Sequence, residues 1–411
     1  MGLNSTPNGE RIHIGIFGKR NAGKSSVINA LTSQNLAIIS DTAGTTTDPV
    51  SKAMEILPLG PVLITDTPGF DDEGDLGKLR VEKCYEVLRK IHFAIIVLNG
   101  ENIASEGYIS IFSDDEKLFI EEIKKRNVSY IICINKIDLC SEEKIKVLVQ
   151  EHGLENIVYL SAKTCDGIDD LKNRIAFFTN EKDDRHVIAD LVEKGDTVVL
   201  VVPIDESAPK GRLILPQQQV IRDLLEASAT AVVTKETELA STLEKLKDKP
   251  KVVVTDSQAF KYVSEIVPED IELTSFSILM ARYKGDLDWQ VAGAEAIEHL
   301  ENGAKVLISE GCTHHRQCGD IGTVKLPNWI REYTNKDFDF SFSSGSDFPE
   351  DISEYDLIVH CGGCTLNEQE MKYRISKAKE AGVPITNYGV LISYVNGILK
   401  RSLHLLTYSD K

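Results

Sequence analysis

Residues 11–31 read RIHIGIFGKRNAGKSSVINAL and join an apolar strand, a glycine-containing loop and the start of a helix. The loop has the pattern Gly-x-x-x-x-Gly-Lys-Ser between Gly18 and Ser25. Its glycines allow backbone N–H groups to surround a β-phosphate, Lys24 reaches the β and γ oxygens, and the Ser25 hydroxyl ligates magnesium. This stretch therefore predicts a nucleotide-binding α/β domain. The predicted phosphate-site residues are Gly18, Asn21, Ala22, Gly23, Lys24, Ser25 and Ser26.

A second nucleotide motif follows the apolar segment at residues 61–65. It reads DTPG at residues 66–69. In this motif the Asp66 carboxylate can hold the water shell of magnesium, and the Gly69 amide can sense the γ-phosphate. Lys24 and Gly69 are accordingly predicted to act in hydrolysis.

Two further strands end in polar motifs that select the base. Residues 130–134 lead into NKID at residues 135–138, and residues 157–160 lead into SAK at residues 161–163. A carboxylate at Asp138 can accept hydrogen bonds from the N1 and N2 donors of guanine, which adenine lacks, so GTP is the predicted nucleotide. An ordinary polar loop is a poor explanation of NKID because the four motifs occur in order. The predicted base-site residues are Asn135, Lys136, Asp138, Ser161, Ala162 and Lys163.

Residues 10–180 resemble the translation-factor-like small GTPases, in particular the Era and MnmE-type branch. The resemblance implies a six-stranded Rossmann-like sheet and a first switch at residues 41–48. It implies that Thr46 binds magnesium and takes part in catalysis. It also implies that Asn21 holds a potassium ion that activates hydrolysis.

The sequence departs from related GTPases at two positions in this domain. Phe70 stands where Ras-like enzymes carry a catalytic glutamine, so hydrolysis is expected to be slow and to depend on a monovalent cation. Thr47 stands where the MnmE-type pattern usually has arginine, which affects how the first switch closes.

The last third of the chain carries a second group of metal-binding residue types. Cys-Thr-His at residues 312–314 and His-Cys-Gly-Gly-Cys at residues 360–364 follow short apolar strands at residues 304–310 and 356–360. Open α/β sheets place ligands at the carboxyl ends of strands, so neighbouring strands would bring the two motifs together. Thiolates and imidazoles suit zinc or an iron–sulfur cluster. The predicted metal ligands are Cys312, His314, His360, Cys361 and Cys364.

Three interpretations of these cysteines are open from their spacing. They could be ordinary buried cysteines, zinc ligands or ligands of an iron–sulfur cluster. The iron–sulfur interpretation is favoured because three thiolates leave one corner of a cubane open to a histidine, a carboxylate or an outside ligand. The remaining cysteines are predicted to be structural: Cys84, Cys133, Cys140, Cys165 and Cys318.

The predicted fold class is α/β in three domains. Residues 1–180 form a P-loop GTPase domain, and a charged segment at residues 181–185 follows it. Alternating strands and helices predict a small α/β dimerisation domain at residues 181–265. Residues 266–411 are predicted to form a parallel α/β domain that binds the iron–sulfur cluster. Three strands are predicted in the middle domain, at residues 197–204, 230–235 and 251–256.

Charge and hydropathy limit the partners of this protein. The chain has 46 Lys and Arg against 64 Asp and Glu, and its formal net charge is −18. A basic face for a nucleic-acid backbone is therefore not expected. The sequence has no apolar run of about 18 residues and no apolar segment near its start that would serve as a secretory signal. We expect a cytoplasmic protein that has no membrane or nucleic-acid partner and keeps its cysteines reduced.

The order of the GTPase motifs, the small α/β module and the two cysteine motifs resembles the HydF family, the GTPase scaffold proteins of FeFe-hydrogenase maturation. APKGRLILPQQQ at residues 208–219 adds to the resemblance. It implies a homodimer that binds a 4Fe-4S cluster through Cys312, Cys361 and Cys364. It further implies a transient diiron precursor, which two radical-SAM enzymes build and apo-hydrogenase receives. His314, His360 and an exchangeable group all remain open as the fourth cluster ligand.

A second hypothesis comes from a different functional class. In this hypothesis the protein is a redox- or metal-sensing GTPase that acts on RNA or the ribosome, as some relatives of the first domain do. It requires a basic RNA-binding face, which the acidic sequence does not provide. The scaffold hypothesis is therefore preferred.

Overall fold

The computed structural model describes residues 6–32, 49–69, 75–105, 111–151, 154–179, 185–204, 213–311, 320–345, 347–363 and 366–407. The chain divides into two compact units, Met1–Asp183 and Asp184–Lys411. Helices and strands alternate in both units, which confirms the predicted α/β class. The finer domain boundaries at residues 180 and 265 stay predictions.

The first unit is built on one six-stranded sheet, as the GTPase resemblance implied. Its strands are β1 (Ile12–Phe17), β2 (Val50–Ile56), β3 (Gly60–Asp66), β4 (Phe93–Asn99), β5 (Ser129–Asn135) and β6 (Ile157–Tyr159). They lie in the order β2-β3-β1-β4-β5-β6, and only β2 runs antiparallel to its neighbour. The nucleotide motifs therefore follow strands that end at the same edge of the sheet.

Helices cover both faces of this sheet. They are α1 (Lys24–Thr32), α2 (Asp75–Leu88), α3 (Gly100–Ser105), α4 (Asp114–Lys125), α5 (Glu142–Glu151) and α6 (Ile168–Thr179). The strand β4 reads FAIIVLN, and its first six residues are buried. A continuous apolar run of this kind is typical of a parallel strand with helices on both faces. One core contains Val27 of α1 and Leu171 of α6, and the other contains Leu88 of α2 and Phe119 of α4.

The second unit contains two parallel four-stranded sheets. The strands of the first sheet are β7 (Thr197–Val201), β8 (Thr230–Thr234), β9 (Val252–Thr255) and β10 (Glu272–Ser275), in the order β10-β9-β7-β8. The sequence predicted three of them. It missed β10 because only Leu273 in the segment ELTS is apolar, although pairing with β9 buries most of the strand.

The second sheet of this unit carries the cysteine motifs. Its strands are β11 (Lys305–Glu310), β12 (Asp339–Ser344), β13 (Leu357–His360) and β14 (Ile385–Asn387), in the order β12-β11-β13-β14. The strands β11 and β13 are adjacent and parallel, with Ser309 opposite His360. The expectation that the fold would bring these two strands side by side is confirmed.

Nine described helices pack on these two sheets. They are α7 (Leu215–Glu226), α8 (Leu239–Lys245), α9 (Phe260–Ile266), α10 (Phe276–Lys284), α11 (Leu287–Glu295), α12 (Leu326–Thr334), α13 (Glu368–Ala381), α14 (Tyr388–Val395) and α15 (Leu399–Thr407). Buried side chains of both sheets, including Val199 and Ile308, belong to one continuous hydrophobic core. Among the helices that the structure describes, none is both long enough and apolar enough to span a bilayer.

Candidate nucleotide site and cluster site

The phosphate loop occupies residues 18–23, between the end of β1 and the start of α1. Gly18 and Gly23 have φ angles of 145° and 94°. A Cβ atom on Gly18 would lie 2.3 Å from the carbonyl oxygen of Val97, and one on Gly23 would lie 2.3 Å from Nδ2 of Asn135. Both glycines are therefore required by their backbone conformation and by the close approach of β4 and β5.

Lys24 is buried at the start of α1, with 9% of its surface exposed. Its Nζ donates hydrogen bonds to the carbonyl oxygens of Gly18 at 2.8 Å and Lys19 at 3.0 Å. The ammonium group is thus held against the loop that would surround a phosphate. Asn21 is exposed in the same loop and has a φ of 61°, a conformation that asparagine tolerates better than most residues.

The two predicted magnesium-site residues of the described chain are in direct contact. Ser25 Oγ donates a hydrogen bond to Asp66 Oδ2 at 2.7 Å. Burial raises the pKa of Asp66, while the Ser25 hydrogen bond and the charge of Lys24 oppose this effect. Hydroxyl and carboxylate oxygens are ligands that magnesium accepts. The side chain of Thr67 donates to the carbonyl of Ile16 at 2.7 Å and so ties the DTPG motif to β1.

The base-site motifs also converge. Asn135, with 1% exposure, donates to the Ala22 carbonyl at 3.0 Å and accepts from the Ala162 N–H at 3.0 Å. The exposed Asp138 carboxylate accepts from Ser161 Oγ at 2.7 Å. NKID, SAK and the phosphate loop therefore form one connected site. A direct contact between Asn135 and a base stays a prediction.

The remaining predicted residues differ in exposure, and some of them lie outside the described part of the chain. Gly69, the last residue of the DTPG motif, is half-buried. Ser26, Lys163 and Cys165 are exposed. Lys136 is half-buried and has a φ of 66°. Outside the described residues lie Thr46, Thr47, Phe70, Cys312, His314, Cys318 and Cys364.

The described part of the cluster site is centred on the thiol of Cys361. The Cys361 N–H donates to the carbonyl of Ser309 at 2.9 Å, which extends the pairing of β11 and β13 past His360. Cys361 Sγ accepts from the N–H of Gly311 at 2.9 Å and from that of Gly363 at 3.4 Å. Burial raises the pKa of the Cys361 thiol, and these two N–H groups oppose it. The Cys361 sulfur therefore lies beside Gly311, the residue that precedes Cys312 in the chain.

His360 is the second predicted ligand in the described part of this site. It is 2% exposed, and its Nδ1 lies 2.6 Å from the carbonyl oxygen of Cys361. A proton on Nδ1 would satisfy this carbonyl and leave the lone pair on Nε2, which is buried without a hydrogen-bond partner. Burial lowers the pKa of His360 to about 4. A neutral imidazole with a free Nε2 is the form that ligates metals.

These two side chains fit an iron–sulfur or other metal–thiolate centre. A sulfur that accepts two backbone N–H bonds and an imidazole with an unpaired buried nitrogen are the donors such a centre needs. No group of three or more metal-binding side chains occurs within the described residues. Three of the five predicted ligands lie outside that part of the chain. Cys312 directly follows Gly311, and Cys364 directly follows Gly363.

A buried arginine behind these strands was missed by the sequence analysis. Arg374 of α13 is completely buried and donates to Ser309 Oγ at 3.1 Å. It also pairs with Glu370, four residues earlier on the same helix, at 3.0 Å. A Glu and an Arg at this spacing usually indicate an exposed helix pair, so the sequence contained no signal for burial.

Matches to protein-family models identify both units. Residues 187–285 match the hydrogen maturase F dimerization domain, and residues 288–405 match the hydrogen maturase F tetramerization domain. The two matches together cover more than half of the chain. The chain belongs to the HydF family. Residues 13–136 of this HydF chain match the 50S ribosome-binding GTPase model, which confirms the predicted GTPase domain.

The family assignment has two direct consequences for this HydF chain. The first unit carries a GTPase domain, and the dimerization and tetramerization domains of the second unit indicate that the chain forms oligomers. Activation by potassium, cluster binding and the maturation partners stay predictions.

Curated relatives of the HydF chain share its GTPase domain. The tRNA modification GTPase MnmE of Clostridioides difficile (strain 630) is 34% identical over 164 residues, which cover 39% of this chain and 33% of MnmE. MnmE of Carboxydothermus hydrogenoformans is 34% identical over 162 residues, with the same coverage of both chains. The HydF chain thus spans about a third of the length of these relatives.

Among solved structures, the chain is similar to an Era variant of Aquifex aeolicus bound to GDP and AlF4. The identity is 20% and the TM-score is 0.36, with 54% of this chain and 93% of the Era chain covered.

Proposed function

We propose that this HydF chain is a GTP-hydrolysing scaffold and carrier for maturation of the FeFe-hydrogenase H-cluster. It binds a 4Fe-4S cluster through Cys312, Cys361 and Cys364, holds a diiron precursor and transfers that precursor to apo-hydrogenase. The observation that carries the proposal is the Cys361 sulfur at the shared end of β11 and β13. This sulfur accepts the N–H groups of Gly311 and Gly363, the residues that directly precede Cys312 and Cys364.

The ligand set suits a carrier. Three thiolates would hold three irons of a cubane, which would leave the fourth iron to a histidine or an exchangeable ligand. His360 is the described candidate because its Nε2 has no hydrogen-bond partner, and His314 is the other histidine candidate. An exchangeable position would let the scaffold hold the diiron cargo and release it. In this proposal the cargo is the substrate of the protein, and the cluster is its resident cofactor.

The first unit supplies the enzyme activity of the proposal, hydrolysis of GTP to GDP and phosphate. Lys24 stabilises the phosphates, while Ser25 and Thr46 ligate Mg2+ and Asp66 holds its water shell. The Gly69 amide senses the γ-phosphate. Asn21 would hold K+, which would supply positive charge in the place of a catalytic side chain.

The proposed partners follow from the family and from charge. The protein forms a homodimer through the middle α/β segment, receives cargo from two radical-SAM maturation enzymes and delivers it to apo-hydrogenase. The net charge of −18 disfavours nucleic acid as a partner. We further propose that the protein acts in the cytoplasm, apart from membranes.

Cysteine variants of the full-length protein test the cluster proposal. Cys312→Ser, Cys361→Ser and Cys364→Ser are compared with Cys165→Ser, which alters an exposed cysteine of the first unit. After reconstitution without oxygen, the first three variants should lose bound iron and sulfide and fail to activate apo-hydrogenase. GTP hydrolysis should persist in the first three variants because its residues lie in the other unit. It should also persist in Cys165→Ser because that exposed side chain lies outside the nucleotide motifs.

Two results would overturn the scaffold proposal. One is a wild-type protein that takes up only zinc during reconstitution. The other is a triple cysteine variant that still activates hydrogenase. Either result would favour the sensing-GTPase hypothesis.

A further inference from the structure

Among the charged side chains that the structure describes near the cluster site, Arg374 is the most deeply buried, with no exposed surface. Its Nε donates to Glu370 at 3.0 Å, one terminal nitrogen to Ser309 Oγ at 3.1 Å and the other to the Gly345 carbonyl at 2.7 Å. The guanidinium carbon lies 5.0 Å from the centre of the Phe348 ring. Each nitrogen of the guanidinium group therefore has a described partner.

A buried ion pair by itself contributes little to the free energy of unfolding. Removing a guanidinium and a carboxylate from water costs free energy, and well-packed apolar side chains of similar volume often stabilise a core at least as well. The Arg374–Glu370 pair is also incompletely satisfied, because Glu370 Oε2 is buried without a hydrogen-bond partner. This cost suggests that the arginine serves another purpose.

The contacts of Arg374 join the segments that carry the predicted cluster ligands. Ser309 lies opposite His360 in the sheet, and its carbonyl accepts the N–H of Cys361. Ser309 is also two residues before Gly311, whose N–H donates to the Cys361 sulfur. Arg374 itself belongs to α13, the first described helix after Cys364.

We propose that Arg374 is a positioning residue for the iron–sulfur cluster. It clamps the end of β11 to α13 and places a buried positive charge beside the strand end that carries Cys361. The fork of the guanidinium group sets the geometry, because it binds Ser309 and Gly345 at once. Its charge offsets the negative charge of a thiolate-bound cluster. The inference rests on the proposed cluster-binding function.

The test uses full-length protein reconstituted without oxygen. Arg374→Gln removes the charge, and Arg374→Lys keeps the charge but loses the fork. The matched control is Arg401→Gln, since Arg401 of α15 donates instead to the carbonyls of Val267 at 2.9 Å and Pro268 at 2.6 Å. The measurements are the melting temperature of the apo-protein, the rate of iron loss to a chelator and the cluster reduction potential.

Arg374→Gln should accelerate iron loss by roughly 10- to 100-fold, the effect typical of removing a partner that orients metal ligands. It should also lower the reduction potential, since a nearby positive charge favours the reduced cluster. Arg374→Lys should accelerate iron loss but leave the potential near that of the wild type. Arg401→Gln should change only the melting temperature.

Equal iron-loss rates and potentials in Arg374→Gln and wild type would overturn the inference and leave the proposed function intact. A wild-type protein without a cluster would overturn both. If Arg374→Gln does not fold, Ser309→Ala replaces it, because this variant removes one partner of the guanidinium group and keeps the charge. Ser309→Ala should then lose iron faster than the wild type, and an unchanged rate would reject the clamp.

Discussion

The side-chain amide of Asn135 donates a hydrogen bond to the main-chain carbonyl of Ala22 at 3.0 Å. The two residues are 113 positions apart in the sequence. Because Asn135 also accepts the N–H of Ala162, one buried side chain connects the phosphate loop, the end of β5 and the SAK motif. The predicted phosphate site and the predicted base site are thereby connected in the first unit.

Asn135→Ala should weaken nucleotide binding and destabilise the first unit. The substitution leaves the Ala22 carbonyl and the Ala162 N–H without their partner, and a buried unsatisfied polar group costs about 1–3 kcal/mol. We expect the affinity for GDP to fall roughly tenfold or more, measured by titration with a fluorescent nucleotide. Asn102→Ala, at an exposed position of α3, is the control and should bind normally. Unchanged affinity in Asn135→Ala would contradict the connecting role.

Asp138→Asn should shift the base preference from guanine to xanthine. The exposed carboxylate accepts from Ser161 and is available to the N1 and N2 donors of guanine, whereas an amide prefers a base with a carbonyl at C2. Loss of hydrogen bonds to a charged group predicts a roughly 10- to 100-fold fall in kcat/KM for GTP and a gain for XTP. Asp166→Asn, in the neighbouring loop, should keep the GTP preference. Equal use of ATP and GTP by the wild type would refute guanine selection altogether.

Potassium should stimulate GTP hydrolysis more than sodium at equal ionic strength. The reason is the position of Asn21 in the phosphate loop, where its exposed side chain is available to a monovalent cation. Asn21→Ala should remove the difference between the two salts. Rates are measured by phosphate release. Identical wild-type rates in potassium and sodium would count against the proposed ion.

Acidification should weaken the binding of magnesium–GDP. The loss of affinity should begin at a higher pH than it would with an aspartate of ordinary pKa. Burial raises the pKa of Asp66, and magnesium requires the ionised carboxylate. Above this pKa the affinity should be constant. As the pH falls through it, a proton competes with the metal and the affinity should drop by up to about tenfold per pH unit.

Binding titrations between about pH 4 and pH 7 measure this effect, since an unperturbed aspartate has a pKa of about 3.9. Asp66→Asn should bind weakly throughout and lose the slope. A wild-type affinity that stays flat down to about pH 4 would show that Asp66 does not control the metal.

A substitution on the edge strand β8 should weaken self-association. This strand ends the first sheet of the second unit, and Val233 on it is 48% exposed. An exposed edge strand offers unpaired backbone groups to a second copy of the chain. Val233→Lys should therefore lower the molar mass measured by light scattering. Leu118→Lys, at an exposed position of the first unit, should leave it unchanged. An unaltered mass in Val233→Lys would direct the search to another surface.

The convergence of the nucleotide motifs could be predicted from the sequence because each motif is local. A strand, the turn after it and the next helix dictate the phosphate loop, and DTPG, NKID and SAK likewise follow single strands. The parallel order of these strands then brings the motifs to one edge of the sheet. The α/β class and the pairing of β11 with β13 were predictable for the same reason. The strand β10 was not, because its segment lacks an apolar pattern and its burial depends on β9.

The sequence by itself determined which motifs with the chemistry for nucleotide or metal binding follow which strands, because backbone turns and side-chain chemistry are properties of short segments. Only the tertiary structure decided what surrounds them. The Cys361 sulfur receives the N–H of Gly311 across 50 residues, which requires the register between two strands. Arg374 forms an ordinary helical pair with Glu370 in the sequence, yet packing of α13 against the sheet buries it completely against Ser309. Burial and register arise from contacts between distant segments, so no local pattern contained them.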